Sequence, residues 1–136
     1  MIADQHAKNY AIWHKEDLAR VPNSPDAIIA GIKRELDRLN QLRNDLIESV
    51  DRELLDFLTS QGLPTELAPL HSETPGMMID RLSILSLKIF HTREEIYRTD
   101  GPLGHSDRNR SRLQILEHQR NDLSDCLRVL WDEIMA

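Results

Sequence analysis

The chain has 136 residues, a formal net charge of −6 and an apolar content of 40%, values typical of one ordinary globular domain spanning residues 1–136. The acidic balance argues against a general nucleic-acid binder, which would present a basic face. No apolar run approaches the ~18 residues of a membrane span, and no apolar leader follows Met1. We therefore expect a cytoplasmic protein that contacts neither membrane nor nucleic acid.

The first predicted helix runs from about Asp4 to Arg20, and Pro22 ends it because proline removes a backbone donor. Its apolar face is predicted to comprise Ala7, Tyr10, Ala11, Leu18 and Val21.

A second helix is predicted to start at Ser24-Pro25-Asp26, with Ser24 as its cap and Pro25 in its first position, and to end near Leu58 or Ser60. Apolar residues recur along it at steps of three or four, which is typical of a bundle stripe. At ~1.5 Å per residue the helix would be roughly 50 Å long, so we expect one end to reach another subunit of a homo-oligomer.

Residues 61–73 are predicted to form a loop whose leucines, Leu63, Leu67 and Leu70, pack on the bundle. A third helix begins at Thr74-Pro75 and continues to about Thr99. Because it is apolar on nearly every side, we predict that it lies at the centre.

The fourth helix is predicted to start near Ser106 or Asp107, after a Gly-Pro turn, and to run to the end of the chain. Trp131 is its expected aromatic anchor. Cys126 is the single cysteine, and its leucine neighbours predict a buried, inert thiol. Together the elements indicate an all-α fold, an antiparallel bundle of about four helices with a long second helix.

Polar residues interrupt the apolar stripe of each predicted helix. The interruptions are His14 and Asp17, then Asn40 and Arg43, then Lys88 and His91, and finally Gln119 and Asp122. Because an unpaired buried charge costs several kcal/mol, such a layer indicates either a pocket or a buried ion-pair network.

Several blocks of sequence resemble a known family. They are residues 13–17, 36–48, 73–76 (Glu-Thr-Pro-Gly), 80–91 and 119–123. They resemble the bacterial DUF4254 family, a domain of unknown function, over nearly the whole chain. The resemblance implies a small soluble protein whose gene is often met near glycosyltransferase genes, and it implies no settled activity.

The hypothesis drawn from the polar residues is a mid-bundle pocket for a small anionic ligand. Arginine offers a planar fork and lysine a point charge for a carboxylate or phosphate. If the protein is an enzyme, which the sequence leaves open, the catalytic candidates are His14, His91 and Glu73. The predicted ligand-binding residues are Asp17, Asn40, Arg43, Asn44, Asp80, Arg81, Lys88, Gln119 and Asp122.

Three alternatives remain open. In the first, Asp17, Asp80 and Asp122 neutralise the cations and the layer only fixes helix register. In the second, the chain docks a protein partner such as a glycosyltransferase. In the third, it is a helical enzyme, because residues 43–58 resemble the long first helix of helical chorismate mutases. No Glu-x-x-His motif of a di-iron bundle occurs, and we expect neither metal nor cofactor.

Overall fold

In the computed structural model, which describes all 136 residues, four helices account for most of the chain. They are α1 (Ile2–Ala19), α2 (Asp26–Ser60), α3 (Pro75–Tyr97) and α4 (His105–Met135). The predicted all-α bundle and its long second helix are confirmed. None of the four helices combines the length and the apolar character needed to cross a membrane.

The third helix is the hub of the bundle, as its apolar composition predicted. It packs against α1, α2 and α4, whereas α4 packs against α3 alone. The α1 and α2 helices also pack against each other. Because α4 approaches neither α1 nor α2, two grooves run along α3, one on the α1 side and one on the α2 side.

The contact between α3 and α4 is made by leucines that recur along α4 at steps of three, four and seven residues, among them Leu116, Leu123 and Leu130. Met78, Leu123 and Leu130 form its buried centre. Leu116 is also buried, and Arg120 stands in the same stripe half-exposed. Apolar burial at three- and four-residue steps is what holds a long helix against a neighbour.

Two helix starts differ in their chemistry. At α3 the Thr74 hydroxyl accepts a hydrogen bond from the Met77 amide at 3.2 Å, so this predicted cap is confirmed. The predicted cap of α2 is wrong, because Pro25 occupies the capping position and no side chain caps that helix. Instead, the Ser24 hydroxyl donates backwards to the Val21 carbonyl at 2.9 Å.

Three burial predictions are also wrong. The loop leucines Leu67 and Leu70 are 94% and 99% exposed, so they do not pack on the bundle. Cys126 is exposed rather than buried. On α3, which was predicted to be buried on nearly every side, Phe90 is 54% exposed.

The buried face of α1 is polar, contrary to the prediction. Gln5 and Asn9 are 0% and 3% exposed, while Tyr10 and Leu18 on the predicted apolar face are each 49% exposed. The reason lies on α3, where Asp80 and Ser83 offer polar partners to α1. The Asn9 amide nitrogen donates to Asp80 Oδ1 at 2.9 Å and to Ser83 Oγ at 3.0 Å.

Candidate functional site

One flank of α3 carries the polar side chains that the sequence singled out. Arg81, Lys88 and His91 recur along it at steps of seven and three, so they share a helical face. This face looks into the groove between α1 and α4, because those two helices pack on α3 without approaching each other. The groove holds two clefts, and Lys88 lines both of them.

The first cleft lies between α3 and α4 and has a volume of about 610 Å³. It brings together part of the predicted site, namely Glu73, Arg81, Lys88, Gln119 and Asp122. Its apolar wall consists of Met78, Ile84, Leu85 and Leu123. The cleft is open to solvent, and its apolar wall and few converging polar groups are features that it shares with small-molecule sites.

Glu73 and Arg81 close one end of the first cleft as an ion pair. The Arg81 Nη1 donates to both carboxylate oxygens of Glu73, at 2.8 and 2.7 Å. The Arg81 side chain is 56% exposed and that of Glu73 30% exposed. Because exposed ion pairs contribute only about 0–1 kcal/mol, Glu73 can be exchanged for another anion at small cost.

Lys88 differs from Arg81 in having no carboxylate within ion-pairing distance. It is half-buried at the junction of the two clefts, and none of the ion pairs in the protein includes it. Asp122, in the first cleft, likewise forms no ion pair. A cationic side chain that lines a cleft and has no carboxylate partner favours a ligand anion at this position.

The second cleft, of about 220 Å³, continues the groove towards the start of α4. Its lining includes Trp13 and Asp17 from α1, Lys88, His91 and Glu95 from α3, and Arg112 from α4. Asp17 is exposed and also forms a long ion pair with Arg20 at 3.8 Å. The cleft therefore contains charges of both signs.

His91 is the most constrained side chain of the second cleft. Its ring stacks on Trp13 with the ring centroids 4.5 Å apart, and its Nδ1 lies 2.9 Å from a Glu94 carboxylate oxygen. Its Nε2 is buried without a hydrogen-bond partner. The exposed His14 ring lies 6.1 Å from the His91 ring, so the two predicted catalytic histidines are neighbours.

Glu95 fixes the turn between α3 and α4 next to this cleft. A hydrogen bond with His105 Nε2, at 2.6 Å, is the main cause that lowers the pKa of Glu95, and Arg98 lowers it further. Its carboxylate is thus held ionised by partners from the turn itself. This places a fixed negative charge at the far end of the groove.

The remaining predicted site residues lie elsewhere. Asn40, Arg43 and Asn44 are on α2 and line neither cleft, and Arg43 Nε is buried without a hydrogen-bond partner. Asp80 is turned away from the groove, into the contact with Asn9 on α1. Hence α2 contributes nothing to the groove between α1 and α4, although its polar residues have the same spacing as those of the other helices.

The ion-pair network proposed as an alternative does not form with its expected partners. Arg43 and Lys88 form no ion pair, and Arg81 pairs with Glu73 rather than with an aspartate. Instead, the buried polar contacts link α1 to α3 through neutral amides and Asp80. Gln5 and Asn9 were missed as buried residues, although their four-residue spacing on a helix with few apolar residues was visible in the sequence.

The N-terminus of α3 is closed by a residue that sequence reasoning did not single out. Asp51 of α2 accepts a hydrogen bond from the Gly76 amide at 2.7 Å and another from the Thr74 hydroxyl. Gly76 permits this approach, because a Cβ there would lie 2.7 Å from a carboxylate oxygen of Asp51. The anion site expected at a helix N-terminus is thus already occupied by the protein's own carboxylate.

These features define a helical-bundle protein with an open polar groove along its central helix. The family model described as protein of unknown function (DUF4254) matches residues 1–136. The chain therefore belongs to this family. Searches of curated proteins and of solved structures found no match.

Proposed function

We propose that the first cleft binds a small molecule carrying a carboxylate or phosphate group, with Lys88 as the main contact of that group. The single observation behind this proposal is that the half-buried Lys88 side chain lines a 610 Å³ cleft and has no carboxylate partner. Arg81 provides a second cationic contact once the ligand replaces Glu73 as its partner. Because the Glu73–Arg81 pair is exposed, this exchange costs little.

The other residues of the cleft restrict the ligand further. Gln119 and Asp122 stand across from Lys88 on α4 and offer an amide and an acceptor for hydroxyl or amino groups. The apolar wall at Leu85 and Leu123 suits a ring or short carbon chain. With two basic and two acidic side chains the cleft is balanced in charge, which favours a hydroxylated or amino-containing acid over a simple polyanion.

A thermal-shift screen with sugar phosphates, nucleotide sugars and carboxylic acids tests the proposal, and titration calorimetry then measures each hit. Lys88→Met keeps the aliphatic stem and removes the charge. The matched control is Lys33→Met, which removes an exposed lysine of α2 paired with Asp37 at 2.6 Å. We expect Lys88→Met to weaken binding at least about tenfold and Lys33→Met to leave it unchanged.

Equal affinity of Lys88→Met and the unsubstituted protein for a confirmed hit would overturn the proposal, and so would the lack of any hit. Arg43→Ala offers a further contrast. Since Arg43 lies outside both clefts, we expect this variant to keep its ligand affinity.

A further inference from the structure

The chain exposes more surface than a compact protein of its mass. Its accessible surface is 9379 Å², and its mass is 15.8 kDa. A compact monomer of that mass exposes about 7,300 Å², by the scaling of surface with mass. Only 16 of the 136 residues are buried, in agreement with this excess of surface. The difference of about 2,000 Å² exceeds the ~800 Å² that each partner of a standard protein interface buries.

Part of this surface is an apolar groove on the α2 side of α3. It has a volume of about 370 Å³, and its apolar lining comes from three helices: Leu54 of α2, Pro75 and Ile79 of α3, and Leu127 and Trp131 of α4. The groove stays open because α2 and α4 do not pack together. Elsewhere on α2 and α3, Phe57 and Phe90 add further apolar surface, because they are 55% and 54% exposed.

One charged residue, Arg128 of α4, lines the groove, and two aspartates lie next to it on the same helix. Arg128 forms only long ion pairs, at 3.4 Å with Asp125 and at 3.9 Å with Asp132. An apolar centre within a charged rim is the usual anatomy of a protein interface. In a twofold arrangement, Arg128 of one copy can lie opposite Asp125 or Asp132 of the other copy, and each of these ion pairs occurs twice.

We propose that a second copy of this chain packs on the α2-side groove through the same groove, forming a twofold dimer with Trp131 as its aromatic anchor. Tryptophan in a well-packed pocket is the most frequent energetic centre of such an interface. The ligand clefts lie on the opposite flank of α4. Gln119, Asp122 and Cys126, which line the first cleft, each come one residue before a position of the stripe that packs on α3. Ser124 and Arg128, which line the groove, each come one residue after such a position. The dimer therefore leaves both clefts open.

Sedimentation equilibrium of the full chain over a range of concentrations tests this proposal without any substitution. We expect a mass of twice 15.8 kDa at high concentration. A monomer at every concentration up to the solubility limit would overturn the proposal, and so would a trimer or larger closed assembly.

Ser124→Arg locates the interface. Ser124 is exposed and lines the groove, so a long charged side chain there blocks a partner without disturbing the core. We expect the dissociation constant of the dimer to rise at least about 30-fold. The matched control is Ile115→Arg, at an apolar residue that is 59% exposed and lies outside this groove.

Two further measurements separate loss of the dimer from loss of the fold and from loss of ligand binding. Circular dichroism identifies a Ser124→Arg protein that has kept its helices, and a folded variant that remains dimeric would overturn the location of the interface. Lys88→Met should stay dimeric, whereas Ser124→Arg should keep its affinity for any ligand of the first cleft. Failure of the dimer and failure of the ligand site are thus distinguishable.

Discussion

The Asp51 carboxylate has two roles at the start of α3. It accepts a hydrogen bond from the Gly76 amide, and it fills the space that a Cβ of residue 76 would need. Asp51→Ala removes a hydrogen bond from the Gly76 amide and one from the Thr74 hydroxyl. A hydrogen bond to a charged group contributes ~1.5–3 kcal/mol, but the Thr74 bond is exposed and water can replace it, so mainly the part-buried Gly76 bond and a few tenths of a kcal/mol from the helix N-terminus are lost. We expect the free energy of unfolding to fall by about 2 kcal/mol.

Gly76→Ala should act through the same carboxylate. The new Cβ would lie 2.7–2.8 Å from the Asp51 carboxyl atoms, so the side chain of Asp51 must move away and its hydrogen bond to residue 76 is lost. Alanine recovers up to ~1 kcal/mol of helix propensity over glycine. The net effect in the unsubstituted background is a loss of roughly 1 kcal/mol.

The double variant separates this explanation from a general loss of packing. Once Asp51 is alanine, the Cβ of residue 76 meets no carboxylate, and only the propensity gain remains. Gly76→Ala should then stabilise the Asp51→Ala protein by about 0.5 kcal/mol. Urea unfolding followed by circular dichroism measures all four free energies. Equal destabilisation by Gly76→Ala in both backgrounds would refute the reasoning.

Three further predictions concern stability. Asn9→Ala removes the amide that donates to the buried Asp80, so the free energy of unfolding, measured by urea titration, should fall by about 2 kcal/mol. The control is Asn44→Ala, at an exposed residue, which should change this free energy by less than ~0.5 kcal/mol. The pKa of Glu95 is lowered, so its stabilisation is present above the usual value of 4.5 and is lost as the pH falls through the depressed value. Glu95→Gln should therefore lower the melting temperature by ~2 °C at pH 7 and not at all in strongly acidic buffer; a difference that persists in acid would contradict this cause. Leu70→Ser, at a residue 99% exposed, should leave the melting temperature within the error of a thermal scan, and a clear drop would show that the loop packs on the bundle.

The helices themselves were predictable because strong local signals mark their ends. Pro25 and Pro75 start α2 and α3 within a residue of the predicted positions, and the apolar stripe of α4 identified the residues that meet α3. Proline restricts the backbone locally, and apolar spacing follows directly from the helical period. These features do not depend on which helices are neighbours.

The arrangement of the site was only partly predictable, because a stripe indicates which residues face inward but not which helix they meet. Lys88 and Asp122 line the same cleft, since α3 and α4 are adjacent in sequence and pack together. Arg43 lies apart from them, because α2 packs against α1 and α3 and contributes to neither cleft.

The polar face of α1 was missed for a different physical reason. Apolar periodicity assumes that the neighbouring helix is apolar, and it therefore placed Tyr10 and Leu18 inside. The neighbour presents Asp80 and Ser83, which satisfy Asn9 by hydrogen bonds and make its burial favourable. Only the pairing of α1 with α3 reveals this.

The native thiol of Cys126 offers the most direct test of the proposed ligand site. Cys126 is exposed, lines the first cleft, and is the single cysteine of the chain, so its alkylation rate reports on occupancy of the cleft without any label. A compound that stabilises the protein in the thermal screen should slow the alkylation of Cys126, and Lys88→Met should abolish that protection. Stabilisation by a compound that leaves the alkylation rate unchanged would place the ligand outside the first cleft and contradict the account.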